Sequence, residues 1–120
     1  MSQLIDDALD SGGIYGHGAQ GLANSYHQQF AMVEKDIASG DYAKALHHLQ
    51  TFINHVQTQS GKQLSPALAT ILQLDALLIY HNMLCLAIDT GQINAKTASA
   101  DYTYYSNLVS SLGGTVLPPC

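Results

Sequence analysis

The sequence predicts an all-α fold, a small antiparallel bundle of four main helices plus a short N-terminal helix. Three observations predict it. Apolar residues recur at spacings of three and four over several long segments, the signature of helices with one buried face. Those segments are bracketed by helix-capping residues and glycines. No segment shows the strict alternation of a half-buried strand. At 120 residues, the chain has the length of one ordinary domain and can bury a core without metals or crosslinks.

The first helix is short and ends before Gly12-Gly13. Leu22, Tyr26, Phe30, Val33 and Ile37 then form one stripe of a helix over roughly 19–39. Gly40 stops it, and Asp41 is placed to cap the next helix. Tyr42, Leu46, Leu49, Ile53 and Val56 repeat the pattern to about Ser60, where Gly61 follows. Two helices joined by so short a reversal form an antiparallel hairpin. Ser65-Pro66 opens the next helix as N-cap and first-turn proline. That helix is apolar nearly all round and is therefore the expected central element. Its polar residues form seams: Asp75, Asn82 and Asp89 on one, Thr70, Gln73 and His81 on another. Gly91 ends it. Asn94 caps the last helix, over about 94–112, where Ala98, Tyr102, Tyr105, Val109 and Leu112 make the stripe. Gly113-Gly114 stop it, and Pro118-Pro119 block further helix in an extended tail, 115–120. Residues 1–114 thus read as one helical domain.

From Ala67 to Ile88, 17 of 22 residues are apolar. The segment also carries Gln73, Asp75, His81 and Asn82, which are costly in hydrocarbon. It reads as a buried helix and not as a membrane span. Met1–Asp7 has neither a basic region nor an apolar run and does not read as a signal peptide.

Charged residues are 11% of the chain, with four Lys, no Arg and a net charge of −5. Nucleic acid and anionic membranes need basic patches, so neither is an expected partner. Ser, Thr, Asn and Gln, 32 residues together, must supply most of the polar surface. Of the two cysteines, Cys85 lies in the apolar helix and reads as a small core residue, while Cys120 follows Pro-Pro. They form one disulfide, or Cys120 links two chains, or it stays an exposed thiol. No Cys-x-x-Cys is present.

No cofactor is expected. Among six histidines, no two share the i, i+4 spacing that brings a pair onto one ion. His48 and His55 are seven apart, about 10.5 Å along a helix. A metal site therefore requires tertiary convergence, for instance of His17, His27 or His81 with one of the others. No Gly-x-Ser-x-Gly elbow is present, and Glu34 is the only glutamate, so no catalytic residue is assigned. Gly12, Gly13, Gly16, Gly18 and Gly21 lack the strand and Gly-Lys-Ser/Thr of a phosphate loop. They read as a flexible connector with Ile14 and Tyr15 packed on the core. Tyr102, Tyr104 and Tyr105 are the candidate interaction residues, because tyrosine combines a large apolar ring with a water-tolerant hydroxyl.

Two sequence patterns extend beyond single helices. Ala8-Leu9-Asp10-Ser11-Gly12-Gly13-Ile14 echoes Ala87-Ile88-Asp89-Thr90-Gly91-Gln92-Ile93. It reads either as two similar helix stops or as the start of a second, truncated unit. The other is Leu4-Ile5-Asp6 with Ser11-Gly12-x-Ile14, Gly21-Leu22-Ala23-Asn24-Ser25 and Ser39-Gly40-Asp41-Tyr42-x-x-Ala45. It continues as Leu49-x-x-Phe52-Ile53-Asn54-x-Val56-x-x-Gln59-Ser60-Gly61-Lys62. Together these residues resemble the FIMAH-type domain of bacterial proteins, over about residues 4–80. The resemblance implies a small all-α module appended to secreted or surface proteins, and it brings no catalytic set. The helix after Gly91 and the Pro-Pro-Cys tail depart from that pattern.

The functional expectation is a non-catalytic interaction module of a secreted or cell-surface bacterial protein, with a protein or glycan partner. A self-assembling fibre or surface-layer subunit is the alternative, suggested by the low charge and the tail cysteine. A small metal-binding or hydrolytic helical protein is the weaker one.

Overall fold

The computed structural model describes all residues, 1–120. It contains five helices and no strand: α1 (Ser2–Asp10), α2 (Ala19–Ala38), α3 (Tyr42–Gln59), α4 (Pro66–Asp89) and α5 (Ala95–Ser111). Three helices start on side-chain caps. Asp41 accepts from the Lys44 amide, Ser65 from Leu68 and Asn94 from Thr97. Each cap satisfies one of the amides a helix start leaves without a partner.

The α2–α3 hairpin is antiparallel. Asp36 meets His48, Phe30 meets Phe52, and Tyr26 meets both Phe52 and His55, so position rises on one helix as it falls on the other. Its turn is tight because Gly40 takes φ +76° and the Asp41 amide returns to the Asp36 carbonyl. A left-handed residue at this place is far easier for glycine than for any residue with a Cβ. α3 packs against α2 and α4, and α1 packs against α2 and α4, so these four helices close on one another. α5 packs chiefly on α4 and lies outside that group. The molecule measures 43 × 30 × 19 Å, and its thinnest dimension fits two layers of helix.

The core takes its large side chains from every helix: Ile5, Tyr26, Phe52, Leu49, Leu72, Leu77 and Tyr105 are all within 1% of fully buried. α4 contributes ten buried residues, which accounts for its apolar composition. It is long and apolar enough to cross a membrane by length and composition alone, yet it forms the middle of the bundle. Its two most exposed apolar residues, Ile71 and Leu78, are two turns apart on one face and about half exposed, and Leu86 and Ile88 near its end are also exposed.

The glycine-rich connector departs from the sequence expectation. Ile14 is buried, but Tyr15 points outward and is 39% exposed. The connector is also tied down. Tyr15 donates to the Gln63 carbonyl, Ser65 to the Gly13 carbonyl, and the Gln63 amide to the His17 carbonyl. Isolated bridges join Ile14 and Ser60 to Leu64. Alternation over two residues is too short to read from sequence, so this small pairing between the α1–α2 and α3–α4 connections was hidden. Gly13 is buried here, and a Cβ on it would collide with the Leu68 side chain.

The two echoing segments are both helix stops. Gly12 has φ +83° and Gly91 φ +70°, and in each the chain folds back to donate to an alanine carbonyl, Ile14 to Ala8 and Gln92 to Ala87. The ends of α2 and α5 close as that of α4 does, through Asp41 to Asp36 and Gly114 to Val109, without sharing the sequence. Helix termination therefore explains the match without a second unit.

Candidate functional site

The tyrosines of α5 divide into two groups. Tyr102 and Tyr105 face the tail. The Tyr102 hydroxyl donates to the Leu117 carbonyl at 2.7 Å, and the Leu117 amide donates to the Tyr105 hydroxyl at 3.0 Å. These two rings therefore serve as a clamp on the chain's own residues, with Tyr105 fully buried. Tyr104 points to the other side of α5 and stacks on Tyr80, with ring centroids 5.4 Å apart. Gln50 donates to the Tyr80 hydroxyl at 2.8 Å, and burial raises the Tyr80 pKa, with the nearby Asp101 carboxyl adding to the shift. Burial raises the Asp101 pKa above its usual value, an effect the neighbouring Tyr80 hydroxyl opposes. Burial alone pushes Tyr104 up to about 12. Its hydroxyl has no hydrogen-bond partner.

Tyr104 forms one wall of an open groove of about 310 Å³ between α3 and α5. Asn54 and Gln57 enter it from α3, and Asn107, Leu108 and Ser111 from α5. None of these residues carries a charge. The side-chain amides of Asn54, Gln57 and Asn107 are exposed and make no hydrogen bond within the protein. Each therefore presents both a donor and an acceptor outward. Asn54 stood in the sequence only as part of the Phe52-Ile53-Asn54-x-Val56 pattern. The contribution of Asn107 and Ser111 was not legible, because sequence periodicity does not say which helices are neighbours.

The histidines do not converge on one another. His27 donates to Asp6 at 2.7 Å, His48 to the buried Asp36 at 2.5 Å, and His81 to the Pro118 carbonyl at 2.8 Å. His55 instead accepts, from the Gln29 amide at 2.8 Å, and burial lowers its pKa. The His48–Asp36 pair resembles part of a hydrolytic triad. Neither side chain, however, hydrogen-bonds a serine, threonine or cysteine side chain. Ser39, nearby in sequence, spends its hydroxyl on the Asp36 carbonyl.

Cys85 and Cys120 form a disulfide within the chain, with Cα atoms 5.3 Å apart, and no thiol is left free. Of the pairings open from the sequence, the structure takes the intramolecular one. His81 lies one turn before Cys85 on α4. One of its ring nitrogens and the two sulfurs lie within 4.8 Å of one another. The sequence signal for this cluster was the i, i+4 spacing of His81 and Cys85, invisible to a search for paired histidines.

The fold and groove define a small all-α helical module carrying a neutral polar surface. The chain belongs to the FIMAH domain family, whose pattern matches residues 1–79. The match spans α1 to α3 and the first part of α4, that is, the closed four-helix group. It stops before His81, Cys85, α5 and the tail. No curated protein and no solved structure is significantly similar to the chain.

Proposed function

We propose that this chain is a non-catalytic accessory module of a secreted or cell-surface bacterial protein, and that it holds a neutral glycan chain in the groove between α3 and α5. Family membership supports the accessory, surface-associated part of this reading. The observation that carries the ligand class is the groove itself. Three exposed amides, a serine and a tyrosine ring edge line it without a single charge. Paired donors and acceptors suit vicinal hydroxyls, and the lack of Lys or Arg suits a ligand without phosphate or carboxylate. Screening against arrayed neutral and acidic polysaccharides tests the proposal. The expected result is retention on neutral chains only, reduced by Asn54→Ala and Asn107→Ala. Retention unchanged in the double variant, or confined to acidic chains, refutes it.

A second reading, a self-assembling structural subunit, is favoured by Ile71 and Leu78, the two most exposed of four exposed aliphatic residues on α4. Light scattering over rising concentration tests it. Growth that Leu78→Lys abolishes supports assembly through this face, and a constant monomer mass rejects it.

A further inference from the structure

We infer that reduction of the Cys85–Cys120 disulfide converts this corner of the molecule into a Zn²⁺ site made by His81, Cys85 and Cys120. The inference is independent of the groove and uses no residue of it.

Three observations carry it. First, the three ligand atoms already lie within 4.8 Å of one another. A tetrahedral zinc with Zn–S of about 2.3 Å holds its sulfurs roughly 3.8 Å apart. Opening the disulfide therefore asks only for a movement of about two ångströms. Second, the part that must move can move. Cys120 is exposed, at the end of an extended segment, and with Pro119 it lines a cavity of about 290 Å³ beside Leu84, Ile88 and Tyr102. Cys85, by contrast, is fixed on the long central helix, one turn from His81. Third, the His81 ring is already oriented. Its Nε2–H donates to the Pro118 carbonyl, which leaves the lone pair on Nδ1. A metal-bound histidine commonly keeps its other ring N–H on a carbonyl in this way, so the Pro118 bond is compatible with coordination through Nδ1.

The chemistry balances with a dithiol reductant. The dithiol closes to its own disulfide and delivers two electrons and two protons, giving two thiols at Cys85 and Cys120. Binding of Zn²⁺ then releases both thiol protons, because thiolate is the ligand form. Two thiolates and one imidazole suit zinc, and three protein ligands leave the fourth position to water. A small-molecule disulfide takes two electrons from the bound thiolates and, with two protons, leaves as two thiols, which rejoins Cys85 to Cys120 and expels the ion. The tail is thus held to α4 in both states, by a covalent bond in one and by a metal in the other.

Cobalt(II) is the probe, on untagged protein reduced with a dithiol and desalted without air. One equivalent should bind with the visible bands of tetrahedral cobalt and a thiolate charge-transfer absorption, and Zn²⁺ should displace it. The oxidised protein should show neither signal. Cys120→Ser alters an exposed residue, and both it and His81→Gln are compared with the reduced wild type for helicity beforehand. Each removes one of three ligands and should weaken binding by more than the roughly tenfold that loss of an outer-shell partner costs. Octahedral spectra in the reduced protein, equal binding by the oxidised protein, or unchanged affinity in Cys120→Ser would overturn the inference.

Discussion

Removal of the disulfide should cost this domain a large share of its thermal stability. The bond closes a loop with a sequence separation of 35. By the chain-entropy relation, a loop of that length constrains the unfolded chain by about 3.8 kcal/mol at 25 °C. A domain of this size unfolds with an entropy of about 250 cal/mol/K, so the loss corresponds to a fall of about 15 °C in Tm. Few contacts in the tail offset it. Without the crosslink, residues 115–120 are held by the Tyr102 and Tyr105 bonds to Leu117, the His81 bond to Pro118, and partial burial of Val116 and Leu117. The test is scanning calorimetry of oxidised wild type against the Cys85→Ala/Cys120→Ser variant, with thiol titration of the denatured wild type to show that the bond is formed. Chelator in both samples excludes any metal contribution. A drop below about 3 °C would refute the reasoning, since it would mean that the unfolded chain gains almost no freedom from opening the loop.

Other expectations follow from single positions. Phe52→Ala should destabilise by about 3–5 kcal/mol in chemical denaturation, because the ring is fully buried between Tyr26 and Phe30. A loss under about 1 kcal/mol would mean that the hairpin core is not packed as described. Ser65→Ala should cost about 1 kcal/mol through the lost cap on Leu68, whereas Ser65→Asp should be nearly neutral. For His55, burial holds the folded pKa below the unfolded 6.5, and the Gln29 amide donates to Nδ1, where a protonated ring has no lone pair. The unfolded chain therefore takes up this proton first as pH falls. Stability is unaffected by His55 well above 6.5 and declines as pH drops through that value. Unfolding curves of His55→Gln should lack this part of the acid decline, and parallel curves for variant and wild type would contradict the assignment.

Much of the helical framework was legible because its signals are local. Asp41, Ser65 and Asn94 cap the helices they precede, and a cap needs only its own side chain and the amide three residues on. The stripes of α2 and α3 were legible for a similar reason, since a helix with two unlike faces declares which one is buried. α4 gave no such contrast. Its burial as the central helix could be inferred from composition, but nothing distinguished the bare Ile71 and Leu78 from the buried Leu72 and Leu77. The outward Tyr15 was misplaced because its neighbours are set by hydrogen bonds to the α3–α4 connection, some fifty residues away. The same limit hid the site residues. Tyr102 and Tyr105 belong to a helical stripe in sequence, yet which partner meets that stripe depends on how the tail returns across α5.

The division between the family-matched region and the remainder bears on where function lies. Phe52, Leu49 and Ile5 are buried on the helices that close on one another, while α5 packs chiefly on α4. α5 and the tail instead cover the far side of α4, where Tyr80, His81 and Leu84 are buried. The groove needs both parts, because Asn54 and Gln57 come from the matched region and Tyr104, Asn107 and Ser111 from the added one. α5 reaches the bundle chiefly through α4, and the tail that passes over it is fastened at Cys85. The crosslink thus sits on the α5 face away from the groove while fixing the helix that forms one of its walls. A ligand that bridges Asn54 and Asn107 would therefore bind more weakly to the protein with its disulfide opened, without touching either cysteine. Affinity measured on oxidised protein and on the Cys85→Ala/Cys120→Ser variant, both at a temperature where each is folded, would separate a groove whose wall is held by the crosslink from one that α4 packing alone keeps in place.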